Sequence, residues 1–185
     1  RSDGSPVATI TDTVTLDGGW SPGFTTQNLH TFPTVLDAGD AARVIQVSGD
    51  GNVVLSNLTL QNGASRLGAG LYNSGSNTNA TNLTIANNSA EGIGQSAYGG
   101  GILNTGVFTL TDSDVTNNTV ETDTGRAFGG GIFTVSSLTI NGGTISSNSA
   151  NATDPNGLSF GGGLANCGAS NVSVTNATFD GNSAN

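Results

Sequence analysis

Lysine and methionine are absent from this 185-residue chain, and cysteine, histidine and tryptophan occur once each. Only 9% of the residues are charged, well under the roughly 25% of an ordinary globular domain. The bases are four scattered arginines (Arg1, Arg43, Arg66 and Arg126) against 13 acids, giving a formal net charge of −9. Such a chain has no electrostatic footprint for phosphates, which argues against nucleic acid or an anionic membrane as partner. No apolar run approaches the ~18 residues of a membrane-spanning helix, so no membrane insertion is expected of this segment. No signal-peptide pattern is present, and the chain starts at Arg1 rather than Met. The expectation is a processed or excised piece of something longer. One cysteine, Cys167, rules out an internal disulfide framework. With no cationic neighbour in sequence it reads as a small, buried, inert thiol, an intermolecular bridge being the alternative in a secreted chain.

What the chain has in quantity is glycine (29) and asparagine (22), beside many threonines and serines. The apolar residues recur at fixed offsets, which argues against disorder. A glycine triplet returns as Gly68-Ala69-Gly70-Leu71, Gly99-Gly100-Gly101-Ile102, Gly129-Gly130-Gly131-Ile132 and Gly161-Gly162-Gly163-Leu164. The third positions are spaced by 31, 30 and 32 residues. A second block follows each triplet and ends in Asn88, Asn118, Asn148 or Asn182, with a weaker early copy at Leu58 to Asn62. Within a repeat, Phe108-Thr-Leu110, Leu138-Thr-Ile140 and Val172-Ser-Val174 alternate with period two, the strand signature. No repeat carries a helical period.

Each repeat is therefore two or three short strands joined by Gly/Asn turns. Such a unit cannot bury its own apolar face, and stacking copies solves the problem. The sequence predicts an all-β, right-handed parallel β-helix (a solenoid) of five to six coils of about 30 residues. Stacking predicts columns. Ile45, Leu71, Ile102, Ile132 and Leu164 form one inward column, and Leu55, Ala80, Leu110, Ile140 and Val174 a second. Leu60, Ile85, Val115, Ile145 and Phe179 form a third, beside an outward column of Thr59, Thr84, Asp114, Thr144 and Thr178. Asn73, Asn104 and Asn166 recur two positions after the first column, with Thr134 the exception. Asparagine suits left-handed turns, and stacked amides bond along the axis. The triplet glycines suit a tight corner or a positive φ.

Residues 1–36 fit the repeat poorly: Val7-Ala-Thr-Ile10 and Val14-Thr-Leu16 still look like strands, Gly18 to Gly23 reads as a turn, and Thr25 to Pro33 as a longer excursion before Thr34-Val-Leu36. The expectation is an irregular N-terminal coil that partly caps the helix, with Trp20 packed against it; residues 37–185 are the regular repeats. The last coil, ending Asn182-Ser-Ala-Asn185, has no comparable cap, so the expectation is either further coils or contact with another molecule.

A Gly-Gly-small-aliphatic block followed by an aliphatic/Phe-x-x-Asn block resembles the repeats of the polymorphic outer-membrane protein family and of choice-of-anchor-type bacterial surface proteins. Phe179-Asp-Gly-Asn182 matches the second block most closely; Val115-Thr-Asn-Asn118 and Ile145-Ser-Ser-Asn148 match with an aliphatic in place of Phe. The stretch from Leu16-Asp-Gly-Gly-Trp20 to Asp37 is similar to the segment that often precedes such repeats. The resemblance covers about residues 14–185 and implies an exported adhesive or structural protein at the cell surface. The chain departs from the pattern in having Gly-Gly-Gly for Gly-Gly-Ala, and neither translocator barrel nor sorting tail lies within it.

The chemistry is sparse. Glycoside hydrolysis needs paired carboxylates on one face. Asp112 and Asp114 are two apart on one expected strand, but their column neighbours carry no second acid. His30 has no acidic neighbour, and Arg66 and Arg126 lie in loops near Asp123 alone. No catalytic residue and no metal ligand is assigned. Asp37-Ala-Gly-Asp40 and Asp50-Gly-Asn52 are weak calcium candidates that read better as turns. Eight Asn-x-Ser/Thr sequons (Asn57, Asn79, Asn82, Asn87, Asn117, Asn151, Asn171 and Asn176) read mostly as turn and ladder residues. The Thr-rich outward columns raise an ice-binding reading. The ladder beside Thr59 is interrupted by Asp114, and the column Ser56, Thr81, Thr111, Asn141, Thr175 is mixed; β-propensity alone accounts for exposed Thr.

The variable feature is the loop before each triplet, where insertions map to one edge of a solenoid. That candidate partner-binding edge carries Glu91, Glu121, Asp123, Arg126 and Asp154, closed by a column of Leu67, Tyr98, Phe128 and Phe160 that reads as a stacked ladder packing the loop base, a stacking platform for sugars being the alternative. The expected function is a non-enzymatic structural or adhesive module, self-associating end to end or binding a cell-surface protein or glycan. The alternative is a carbohydrate-binding or carbohydrate-active β-helix.

Overall fold

The computed structural model describes residues 4–75, 77–168 and 171–185. Among them no helix occurs; every regular element is a short strand, and every strand-to-strand pairing is parallel. The chain is a right-handed parallel β-solenoid. Sheet 1 holds six strands, from Ala8–Ile10 to Leu164–Asn166. Sheet 2 holds six, from Val14–Asp17 to Val172–Thr175, and sheet 3 six, from Val35–Asp37 to Thr178–Asp180. From the third coil onward two further strands are added. Sheet 4 runs from Ser89–Gly92 to Ser183–Ala184, and sheet 5 from Ala97–Tyr98 to Leu158–Phe160. The later coils thus have five strands where the sequence suggests two or three. The two extra strands are the loop insertions, too short for a period-two pattern to show.

The inward columns pair as the repeat demands. Ile45, Leu71, Ile102, Ile132 and Leu164 are successive partners in sheet 1. Leu60, Ile85, Val115, Ile145 and Phe179 are partners in sheet 3. Sheet 2 stacks Leu55, Ala80, Leu110, Ile140 and Val174. All but the last member of each column are fully buried in one continuous core, each large aliphatic contributing about 1.5–3 kcal/mol by leaving water. A second core of Ala90, Ala97, Val120, Ala127 and Ala150 lies between sheets 4 and 5. Small side chains there let those two strands approach closely.

Corners are set by backbone conformation. Asn57, Asn82, Asp112, Gly142 and Asn176 occupy one corner column, all with positive φ. Asn62, Asn87, Asn117, Ser147 and Gly181 occupy the next, again all positive. Asparagine tolerates this left-handed region better than any other side chain but glycine, so five of the eight sequons fall on these corners. Of the two roles the sequence offers Asn73 and Asn104, the left-handed turn is not taken and the axial amide bond is: both lie extended in sheet 1, fully buried. Gly99, Gly129 and Gly161 open each triplet at φ 60–64°. The middle glycine has a different reason. A Cβ on Gly130 would lie 2.4 Å from the Ser149 carbonyl oxygen and 2.5 Å from that of Gly162.

The strands that the sequence suggests in the N-terminal region pair in register with the repeats. Ala8–Ile10, Val14–Asp17 and Val35–Asp37 are the first strands of sheets 1, 2 and 3. The irregular part is an excursion over residues 18–34, closed by an antiparallel bridge between Trp20 and Gln27. It leaves from the corner between sheets 2 and 3, so Trp20 lies at the side of the coil, 37% exposed.

Candidate functional site

Two amide ladders run along the axis. In sheet 1, Asn73 Nδ2 donates to Asn104 Oδ1 at 2.9 Å, and Asn104 Nδ2 to Thr134 Oγ1 at 3.0 Å. The longer ladder stands at the corner between sheets 3 and 4. Asn88, Asn118 and Asn148 each donate Nδ2 to the Oδ1 of the next coil's asparagine at 2.9–3.0 Å, ending on Asn182. Each Oδ1 also accepts the backbone N–H of the preceding coil's asparagine. Each Nδ2 also reaches back to a carbonyl: Leu60, Ile85, Val115 and Ile145 in turn. In the weak early copy Asn62 aligns with Asn87, and Gly63 stands at the ladder position; its N–H donates to Asn88 Oδ1 at 2.8 Å.

The candidate loop edge separates into three environments. Tyr98, Phe128 and Phe160 stack, with ring centroids 5.3 and 5.0 Å apart and interplanar angles of 3° and 11°. Tyr98 and Phe128 pack with Leu103, Phe133 and Ala165 from the outer side of sheet 1 in a third apolar cluster. Phe128 is 9% exposed between its two neighbours, whereas Phe160 at the end of the stack is 40% exposed. Glu91 and Glu121 are direct partners on the solvent side of sheet 4, with Asn151 next. Asp123 turns back to the preceding loop, where the Gly94 N–H donates to it at 2.6 Å and holds its carboxyl below the usual range. Arg126 is exposed, and its backbone N–H donates to Ser96 Oγ. Asp154 accepts the Asn156 N–H within its own turn.

Glu91–Glu121 is the carboxylate pair that the sequence pattern did not single out. Equal spacing from two triplets was the signal available. The pair that was weighed comes apart: Asp112 sits on a corner at φ 45°, while Asp114 opens the next strand and accepts the Thr144 N–H. A cavity of about 190 Å³ lies where sheet 4 begins, lined by Ser65, Arg66, Ser89, Glu91, Ile93 and Gln95. That is below the roughly 300 Å³ at which ligand pockets start.

Of the calcium candidates, Asp37 uses its oxygens otherwise. Asp37 accepts from the Gln61 and Asn62 amides and the Gly39 N–H, the Gln61 bond being the largest of the effects that lower its pKa. Among the described residues no group of three His, Cys, Asp or Glu is placed to hold a metal ion. Asp17 accepts four bonds: from Ser56 Oγ and Asn57 Nδ2 on one oxygen, and from Trp20 Nε1 and Gln27 Nε2 on the other. The Ser56 bond leads in depressing its pKa, with Trp20, Asn57 and Gln27 adding to it against some opposing burial. His30 is exposed on the excursion. Cys167, expected to be buried, is exposed. Arg43, unremarked in the sequence, is buried; it donates to the Leu67 and Gly68 carbonyls and lies 5.1 Å over the Tyr72 ring.

Fold and site together define a parallel β-solenoid with a constant body and one variable edge. Comparison of the chain with protein-family models, curated proteins and solved structures finds no match.

Proposed function

We propose that this chain is a structural or adhesive module of the cell exterior, a rigid rod that presents its loop edge to a surface protein or glycan and extends by end-to-end stacking. One observation carries the reading. The inward columns and the ladder from Asn88 to Asn182 repeat from coil to coil, while the loop edge from Glu91 to Asp154 changes in chemistry with each coil and in length at 151–160. A scaffold with one variable edge is the usual way repeat proteins present contacts. The resemblance of the repeat blocks to bacterial surface β-helix proteins supports the exterior location.

The test is electron microscopy of purified chain with mass measurement in parallel. Filaments with coils continuing across junctions support the polymer. Monodisperse monomers sink end-to-end assembly and leave the edge as the binding surface. The second reading, a carbohydrate-active β-helix, draws on Glu91 and Glu121, two exposed carboxylates that neighbour each other across sheet 4. Release of reducing ends from an acidic-to-neutral polysaccharide panel, lost in Glu121→Gln, would establish it in place of the first.

A further inference from the structure

Sheet 2 presents a face that none of the roles above uses. Its outward side chains form two straight columns over five consecutive strands, one from Val54 through Asn79, Thr109 and Thr139 to Ser173, the other from Ser56 to Thr175. Every pairing is in register, so the columns do not drift. All ten positions are exposed or half-exposed, and none is charged or aromatic. The Asp114 that interrupts the threonine ladder beside Thr59 belongs to sheet 3, beyond the Asn57/Asn82/Asp112 corner, so it leaves this face intact.

The chemistry excludes most ligands. Protein interfaces centre on Trp, Tyr and Arg, and the face has none. Phosphates and anionic lipids need basic groups, cations need carboxylates, and sugar rings are commonly gripped against aromatic rings. What remains is an in-register grid of hydroxyls and amides with Val54 its one aliphatic member; the mixed column from Ser56 to Thr175 carries a hydroxyl or an amide at every position. These groups donate and accept alike, at roughly 4.8 Å along the axis and about 6.7 Å across it. Threonine on a strand is held to few χ1 rotamers, so Thr81, Thr109, Thr111, Thr139 and Thr175 are restricted before anything binds. Scattered polar groups order single waters; an in-register two-dimensional grid orders a layer.

We propose that the outward face of sheet 2 binds ice, ordering a layer of water that joins the crystal surface. This stands independently of the adhesive reading, since it uses neither the loop edge nor the ends of the rod. The experiment measures thermal hysteresis and crystal shape for the chain in an ice-growth cell. The Thr109→Lys/Thr139→Lys pair and, separately, Asn79→Lys put long charges on the face. Thr84→Lys/Thr144→Lys puts the same charges on sheet 3. Circular dichroism checks each fold, and two face variants at different rungs keep one misfolded protein from deciding the result. The proposal expects faceted crystals and a freezing gap for the parent chain, loss of both in the folded face variants, and retention in the sheet 3 variant. Three results overturn it: no gap and round crystals with the parent chain, equal activity in face and sheet 3 variants, or retention of the parent chain on insoluble cellulose or chitin with no effect on ice.

Discussion

Replacing Asn118 with alanine is the sharpest test of what holds the coils together. The side chain is fully buried. It makes four bonds: Nδ2 to Ile85 O at 2.9 Å and to Asn148 Oδ1 at 3.0 Å, and Oδ1 from Asn88 N at 3.0 Å and Asn88 Nδ2 at 2.9 Å. In Asn118→Ala the neighbouring amides each keep one partner. Asn88 Nδ2 still reaches Leu60 O, and Asn148 Oδ1 still accepts the backbone N–H of residue 118. The Asn88 N–H loses its acceptor. A buried N–H left unpaired costs about 1–3 kcal/mol, and each other lost bond about 0.5–1.5 kcal/mol. With the small cavity left behind, the expected destabilisation is about 3–6 kcal/mol, a large share of the ~5–15 kcal/mol that keeps a domain folded. Asn182→Ala removes an amide in the same column where the site is only half-buried and water replaces it, so about 1–2 kcal/mol is expected. Urea unfolding followed by circular dichroism gives both values. Hydrogen exchange shows whether the loss concentrates on the coils around Asn88 and Asn148, as nearest-neighbour coupling in a solenoid requires. A loss below about 1 kcal/mol in Asn118→Ala, with unchanged exchange at Asn88, refutes the ladder as a source of stability.

Ile132→Asp places a carboxylate at a fully buried position in the first column and should unfold the middle coils, read as loss of the strand signal at a temperature where the parent chain is folded. Gly130→Ala should cost several kcal/mol even though alanine is the smallest change, because two backbone carbonyls occupy the space. Glu121→Gln should raise the midpoint of unfolding by relieving like charges stacked directly opposite Glu91, a gain of roughly 0.2–1 kcal/mol that fades in high salt. Acid should loosen the excursion. The folded pKa of Asp17 is depressed, so its contribution is complete above the unfolded value and is lost as pH falls through the folded one. The fluorescence of Trp20, the only tryptophan, should therefore change below about pH 4, and Asp17→Asn should abolish that step.

The solenoid and its three inward columns were legible because burial on one side of a strand forces period two, and stacking forces a period near 30. What stayed hidden has physical causes. Sheets 4 and 5 are built from Ala90, Ala97, Ala127 and Ala150, which carry too little hydrophobic contrast to mark a strand. The strands of the first coil were legible, but not their register with the repeats, because the excursion separates Asp17 from Val35 and breaks the spacing. Asparagine does two jobs that look alike in sequence: a left-handed corner at Asn87 and Asn117, a buried axial bond at Asn88 and Asn118. Adjacent residues of one type divide these roles, and only the backbone tells them apart. Of the candidate edge, the aromatic column was legible as a packing ladder, whereas the partnering of Glu91 with Glu121 needed the register of an unrecognised strand.

The amides of Asn88, Asn118, Asn148 and Asn182 all point the same way, nitrogen toward the later coil. Aligned in this way, their dipoles add rather than cancel, and each polarises the next. The rod is therefore electrically directional, even though its backbone bonds alternate in sense. The polarity is confined to the later coils: the chain of amides begins at Asn88, with Gly63 before it, and closes on Asn182, so the two ends of the solenoid differ in charge distribution as well as in shape.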